Sequence, residues 1–251
     1  MIDASQNQQA LNYEGKIVSV IGGSSGIGNA TAQAFRGCGA TVHVTGTRAG
    51  ADDYSKDEGS DLDGLHYAQV DAADDAAIAA YRQTFDRLDV LICSQGMVLY
   101  KRAEFEPENF AKVIQVNLNS LMTFAGQFHD LLKEAKGSLI IISSTAAFHA
   151  TVGNPAYNAS KTGAMGLTRT LGKAWAPDGI RVNGIAPGLI ATKMTAVTTE
   201  NPKRREATTR NIPVGRIGDP EDMAGLSLFL ASPLASYVVG QTLIADGGLL
   251  L

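Results

Sequence analysis

Tyr157 and Lys161 stand four residues apart in the run Tyr157-Asn158-Ala159-Ser160-Lys161. On a helix, residues i and i+4 share a face, so a phenol and an ammonium would project together. A phenol ordinarily titrates near about 10 and exchanges its proton poorly at neutral pH. A neighbouring ammonium favours the phenolate and lowers that value. Such a pair can protonate a carbonyl oxygen, or take the proton from an alcohol. Tyrosine and lysine are common, and an exposed pair can equally be a solvated helix face. Two further polar residues keep fixed distances from it. Ser144 lies 13 residues before Tyr157, and Asn117 lies 27 residues before Ser144. Taken singly, a turn hydroxyl and a helix-interior amide are the plain readings of those two.

A second group of residues suits a phosphate. Gly22-Gly23-Ser24-Ser25-Gly26-Ile27-Gly28 follows an apolar, β-branched run and opens a segment with Ile27, Ala30 and Ala34 at helical spacing. Gly22 permits a tight turn, Gly26 lets backbone approach a pyrophosphate, and Gly28 allows close helix–sheet packing. The helix N-terminus then faces the phosphates. A strand before and a helix after are the context that a dinucleotide-binding turn requires. The next strand ends in Gly46-Thr47-Arg48. No carboxylate stands there to repel a 2′-phosphate. Thr47 and Arg48 offer a hydroxyl and a guanidinium, which suit one, although Arg48 could simply be exposed on a loop. NADPH is the preferred cofactor on this pattern, with NAD possible.

These side chains need a scaffold. Strands are expected at 16–21, 41–45, 65–70, 90–93, 139–142, 180–185 and 241–245, and helices at 26–37, 74–86, 107–136, 154–176 and 220–231. Their alternation implies right-handed crossovers and a parallel sheet. The run Leu139-Ile140-Ile141-Ile142 is apolar at every position, as expected for a sheet covered on both faces. The expected fold is therefore α/β: a single doubly wound Rossmann-type domain over 1–251, with a seven-stranded parallel sheet and a polar tail over 1–12. Segment 46–63 is polar and loop-like. Segment 192–211 is charged, and is either a substrate lid or a solvated surface excursion.

Composition narrows the field. A length of 251 residues suits one large α/β unit. A formal charge of −4, with no basic run, gives no footprint for nucleic acid. Cys38 and Cys93 are too few for a disulfide framework. No membrane-length apolar run and no leader pattern are present, so a cytoplasmic protein is expected. His43, His66, His129 and His149 lack metal-ligand spacing, and no metal is expected. His149 lies between Ser144 and Tyr157, which makes it a substrate-pocket candidate together with Phe148 and Asn154.

The order and spacing of Asn117, Ser144, Tyr157 and Lys161, with the G-x-x-x-G-x-G turn of 22–28, resemble the short-chain dehydrogenase/reductase family. The resemblance runs from about Gly15 to Gly248 and includes Asp89-Val90-Leu91-Ile92, Arg181-Val182-Asn183 and Pro187-Gly188. It implies that Tyr157 transfers the proton and that Ser144 holds the same oxygen. It further implies that Lys161 lowers the Tyr157 pKa and bonds the nicotinamide ribose, and that Asn117 holds a water on a relay toward Lys161. The cofactor would meet Gly22, Ser24, Ser25, Gly26, Ile27 and Gly28 at its pyrophosphate. Gly46 takes the family's acidic position, beside Thr47 and Arg48, and Asp71 resembles the residue that contacts adenine. Gly96 would pass close to the cofactor. Pro187, Gly188, Ile190 and Thr192 would bond the nicotinamide carboxamide. Two departures stand out. Ile21 replaces the usual Thr, removing a hydroxyl from the turn. Cys93-Ser94-Gln95-Gly96 replaces the usual Asn-Asn-Ala-Gly, so Gln95 would reach the cofactor or narrow the pocket.

The function expected from this is hydride transfer between NADP(H) and a small ketone or the matching secondary alcohol. A homotetramer is expected, with one axis near strand 241–245 and the apolar Leu249-Leu250-Leu251. One rival is a 3-oxoacyl-carrier-protein reductase; His129 and Lys173 would serve for docking, but Asp130 and Asp178 lie beside them. Another is a catalytically silent nucleotide-sensing regulator. A sugar-nucleotide epimerase would need more chain than 188–251 for its substrate.

Overall fold

The computed structural model describes residues 10–81 and 84–251. Seven strands form one all-parallel sheet in the order β3-β2-β1-β4-β5-β6-β7. They are β1 (Ile17–Ile21), β2 (Thr41–Gly46), β3 (His66–Gln69), β4 (Val90–Cys93), β5 (Ser138–Ile142), β6 (Arg181–Pro187) and β7 (Thr242–Ala245). The chain lays β2 and β3 on one side of β1, then returns to place β4 on the other, with Ile21 opposite Cys93. The crevice at such a switch point, beyond the carboxyl ends of the strands, is where open α/β sheets bind ligands.

Two apolar cores explain the unbroken strand runs. Leu139 and Ile141 pack on one face with Phe124, Phe128 and Leu132. Ile140 and Ile142 pack on the other with Phe35, Met223 and Leu230. Successive residues thus feed opposite layers, as the two-residue period of a strand dictates.

Helix α1 (Gly26–Gly37) falls where the sequence places it. Helix α2 (Asp75–Ala80) is shorter than the expected 74–86. Asp74 caps its start by accepting from the Ala76 N–H at 2.8 Å. The chain turns extended at Tyr81, and Tyr81 and Phe85 both enter the core instead of continuing the helix. The expected helix over 107–136 is three pieces: α3 (Pro107–Ile114), a π-helical turn (Gln115–Asn119) and α4 (Ser120–Ala135). Helix α5 (Pro155–Trp175) carries the Tyr157–Lys161 face. Segment 192–211 is largely helical, with α6 (Ala196–Thr199) and α7 (Pro202–Arg210). Helix α8 (Pro220–Ala231) is closed at its end by Arg181, whose guanidinium donates to the Leu230 and Ala231 carbonyls at 2.6 and 2.8 Å.

Of the expected polar tail, 1–9 lie outside the described residues. Ala10 is already buried, and the Tyr13 hydroxyl donates to the Leu228 carbonyl at 2.7 Å, so ordered packing begins inside that segment. No described helix is long and apolar enough to cross a membrane.

Candidate active site

The glycine turn joins β1 to α1, backbone against backbone. A Cβ on Gly28 would fall 2.3 Å from the Gly22 carbonyl oxygen, and one on Gly22 would fall 2.8 Å from the Gln95 Cα. Any side chain there would push apart the loops after β1 and β4. The hydroxyl lost at Ile21 is supplied from the neighbouring strand: the Gly22 N–H donates to Thr45 Oγ1 at 3.1 Å. Ser25 precedes α1 without capping it through its side chain, so the first-turn N–H groups remain available to an anion.

A cleft of about 340 Å³ starts at Asp71 and Thr47, passes the glycine turn and Gly96, and ends at Ser144, Tyr157, Lys161, Pro187, Gly188, Ile190 and Thr192. It is long and phosphate-ready at its centre, and so fits a dinucleotide. Ser24, Ser25, Gly26 and Ile27 line the centre, and Gln95 lines one wall. The Gln95 amide donates to Ser120 Oγ at 2.9 Å, while its carbonyl oxygen is buried without a partner.

Arg48 is absent from the cleft lining. Its guanidinium pairs with Glu58 at 3.1 Å, donates to the Asp53 carbonyl, and lies 4.6 Å over the Tyr54 ring. The same Glu58 oxygen accepts from Lys193 at 2.7 Å, across 135 residues of sequence. The expected phosphate-facing Arg48 is therefore turned to the loop's own carboxylate, because two cations converge on it. Gly46 is also tightly enclosed: a Cβ there would lie 2.4 Å from Tyr54 Oη and 2.6 Å from Ser24 Oγ.

At the other end, α5 presents Tyr157 and Lys161 to the carboxyl end of β5. Lys161 is buried, and its ammonium donates to the Ile142 carbonyl at 2.9 Å. Burial lowers its pKa to about 8. The ammonium lies 5.6 Å from the centre of the Tyr157 ring. Burial pushes the Tyr157 phenol up, the Ser144 hydroxyl draws it down, and Tyr100 and Glu104 push it up again. Ser144 also accepts from the Ala146 N–H at 3.1 Å, which fixes its side chain at the end of β5. Asn117 sits in the π turn. Its amide accepts from Met97 N at 2.8 Å and donates to Met97 O and Ser160 Oγ at 2.9 and 3.1 Å. The space beside Gly96 separates Asn117 from Lys161, lying 3.7 Å from Asn117 Oδ1 and 3.5 Å from Lys161 Nζ. Ser144, Tyr157 and Lys161 thus line one end of the cleft, and Asn117 approaches it from behind Gly96.

The substrate-pocket candidates divide. Gln95 lines the cleft, but Phe148, His149 and Asn154 do not. The His149 ring bonds the adjacent Ala150 carbonyl at 3.0 Å, and the Asn154 amide donates to Leu99 O and Glu104. Both are used in holding loops. Four residues contribute that the sequence did not single out: Thr45, Glu58, Glu104 and Lys193. Among the described residues there is no group of three or more His, Cys, Asp or Glu side chains that could hold a metal.

The family model described as enoyl-(acyl carrier protein) reductase matches residues 21–250. The chain belongs to the short-chain dehydrogenase/reductase family. It is 35% identical over 248 residues to a 2-dehydro-3-deoxy-D-gluconate 5-dehydrogenase of Bacillus subtilis, covering 95% of this chain and 96% of that one. It is 36% identical over 249 residues to a 3-oxoacyl-[acyl-carrier-protein] reductase of Chlamydia pneumoniae, covering 95% and 98%. Among solved structures, the Pseudomonas aeruginosa RhlG/NADP active-site complex superposes with a TM-score of 0.86 at 30% identity, covering 97% and 99%. A Burkholderia cenocepacia gluconate 5-dehydrogenase in complex with NADP and tartrate gives 0.85 at 25%, covering 97% and 98%. As a short-chain dehydrogenase/reductase the chain is an oxidoreductase, which sets aside the silent regulator.

Proposed function

We propose that this short-chain dehydrogenase/reductase uses NADPH to reduce the 3-oxo group of an acyl thioester. The observation that carries the reading is Met194, an exposed apolar side chain at the cleft, with further exposed apolar side chains near it in the sequence. Met194 lines the cleft, Val197 follows it, and Phe148 and Val152 stand between Ser144 and Tyr157, all four exposed. An acyl chain would cover such side chains; a small free ketone, the function expected from sequence alone, would leave them in water. The 3-oxoacyl reductase of C. pneumoniae supports the same choice. NADP in the two related structures supports the cofactor.

Bound nicotinamide would supply the hydride, and the residues described would do the rest. Ser144 donates to the carbonyl oxygen and fixes it. Tyr157 gives that oxygen its proton as negative charge develops. Lys161 keeps a positive charge beside the phenol and offers its N–H to the ribose. Asn117 orders the backbone at Met97 and the route to Lys161. Segment 192–211 serves as the lid, with Tyr100 holding its start by donating to the Met194 carbonyl at 2.8 Å.

A second reading, interconversion of a sugar acid with its oxo form, is favoured by the charge of the lid. Arg204 and Arg205, whose guanidinium groups donate to backbone carbonyls, would attract a carboxylate. His129, expected to help dock a carrier protein, is instead engaged by Asp130 and Asp178 at 3.0 and 3.2 Å. The B. subtilis relative fits this reading. NADPH oxidation should be followed with acetoacetyl-CoA, a 3-oxoacyl N-acetylcysteamine thioester and 5-oxo-gluconate in parallel. Turnover of the thioesters alone supports the first reading, and turnover of the sugar acid alone replaces it. Tyr157→Phe should lose on the order of 10²-fold or more in turnover while binding NADPH normally.

A further inference from the structure

Glu104 has no solvent exposure and no Lys or Arg within ion-pairing distance among the described residues. A dry carboxylate is costly unless hydrogen bonds satisfy it. Here one oxygen accepts from the Leu99 N–H at 3.0 Å and the Asn154 amide at 3.3 Å. The other accepts from the backbone N–H of Tyr157 at 2.9 Å. Tyr157 is the third residue of α5, and its N–H is one that the helix cannot satisfy for itself. The preceding residue, Asn154, would normally cap it, but makes no side-chain cap bond and turns its amide to Leu99 and Glu104 instead. The helix that carries the proton donor is thus capped from another part of the chain. The cap is a full negative charge placed at the positive end of a 21-residue helix.

From this we infer that Glu104 is a positioning residue for the reaction: by accepting from the Tyr157 N–H it caps α5 and aims the phenol that gives up the proton. The groups that act on the phenol fall into two sets. Ser144, on the end of β5, favours the phenolate. Burial most of all, then Tyr100 and Glu104 on the loop after β4, favour the phenol. An uncharged residue in a helix cap would have served stability alone; a buried carboxylate adds a field that reaches the reacting atom.

The inference rests on Tyr157 as the proton donor, and Tyr157→Phe tests that separately. The experiment compares wild type, Glu104→Gln and Glu104→Asp, measuring kcat and KM against pH in both directions, with NADPH affinity and Tm as controls. Glu104→Gln removes the charge and sets an amide NH2 against one of the N–H groups that now donate to the two carboxylate oxygens, so the cap on Tyr157 is loosened. It should bind NADPH within about twofold of wild type and lower kcat for reduction at least tenfold with little change in KM. The limb on which the phenol ionises, which lies above the one set by Lys161 near about 8, should move to lower pH. Glu104→Asp keeps the charge but withdraws it, so kcat should fall with a smaller displacement of the limb. If Glu104→Gln does not fold, the Asp variant decides, since wild-type kcat in it overturns the inference. A Gln variant whose pH limb is unmoved reduces Glu104 to a structural cap and also overturns it. Near-full turnover of Tyr157→Phe would instead sink the underlying mechanism.

Discussion

The Lys161 ammonium is tied to the Ile142 carbonyl at 2.9 Å, while the Tyr157 ring lies 5.6 Å from it. The sheet, not the tyrosine, holds the lysine. The lysine's pKa of about 8 means that its charge disappears as pH rises through that value. Reduction needs both the charged lysine and a protonated phenol. The rate of reduction should therefore be highest below about pH 8 and fall above it. Lys161→Met should lose about 10²-fold or more in kcat and lack that alkaline limb. A pH–rate profile of both proteins checks this, and an unchanged limb in the variant would assign it to another group.

We propose that cofactor choice turns on Arg48, which here is held by Glu58 outside the cleft. A charge-assisted hydrogen bond to a 2′-phosphate is worth about 1.5–3 kcal/mol, which corresponds to about tenfold or more in affinity for NADPH over NADH. Glu58 competes for the same guanidinium. Arg48→Ala should reduce the preference toward parity, and Glu58→Gln should raise it, with NADH affinity nearly constant in both. Titration of each cofactor by intrinsic fluorescence reads the ratio. Gly46→Asp alone should destabilise the protein, because its Cβ collides with Tyr54 Oη and Ser24 Oγ. Any switch toward NADH should require Tyr54 to be shortened as well.

Acid should weaken the fold at His43. This side chain is buried in β2, stacked on His66 at 4.6 Å and against Phe85 at 4.6 Å. Burial, with His66 adding to it, lowers its pKa from 6.5 to about 4. The folded state therefore resists protonation that the unfolded chain accepts. The stability is complete above about 6.5 and is lost as pH falls from there to about 4, on the order of 2–3 kcal/mol at the end. His43→Phe should flatten Tm over that window. An equal acid decline in both proteins would place it elsewhere.

Assembly follows from the side chains around the C-terminal edge. Tyr237 and Leu251 are fully exposed, and Val214, Leu234 and Ile244 are substantially so. Exposed apolar surface of this kind marks contact sites. A homotetramer with a two-fold axis near β7 is expected, so Tyr237→Asp combined with Ile244→Asp should give smaller species in sedimentation velocity. A wild type that sediments as a monomer at micromolar concentration would contradict this.

The sheet was legible because strand-like runs, apolar throughout at Val90–Cys93 and nearly so at Ser138–Ile142, alternate with helical segments. Gly26–Gly37 and Pro220–Ala231 were legible from helical spacing and a strong start signal. The pair Tyr157 and Lys161 could be found from its i, i+4 spacing, and Asn117 and Ser144 from the resemblance of their order and separations to the family's. What escaped depends on tertiary partners. Tyr81 and Phe85 are four apart and look like one helix face, yet both enter the core by leaving the helix. Glu104, in Lys101-Arg102-Ala103-Glu104, reads as a solvated turn until Tyr157 is folded against it. Arg48 reads as a phosphate ligand until Glu58 and Lys193 are brought together.

The π turn at Gln115–Asn119 accommodates one residue more than an α-helix would. Deleting any one residue from it would restore regular geometry and rotate everything on one side by about 100° relative to the other. Asn109 is tied to the Ala103 carbonyl on one side, and Ser120 receives the Gln95 amide on the other. Neither end is free to follow such a rotation, so Asn117 would swing away from Met97. The site therefore depends on a residue count as well as on residue types.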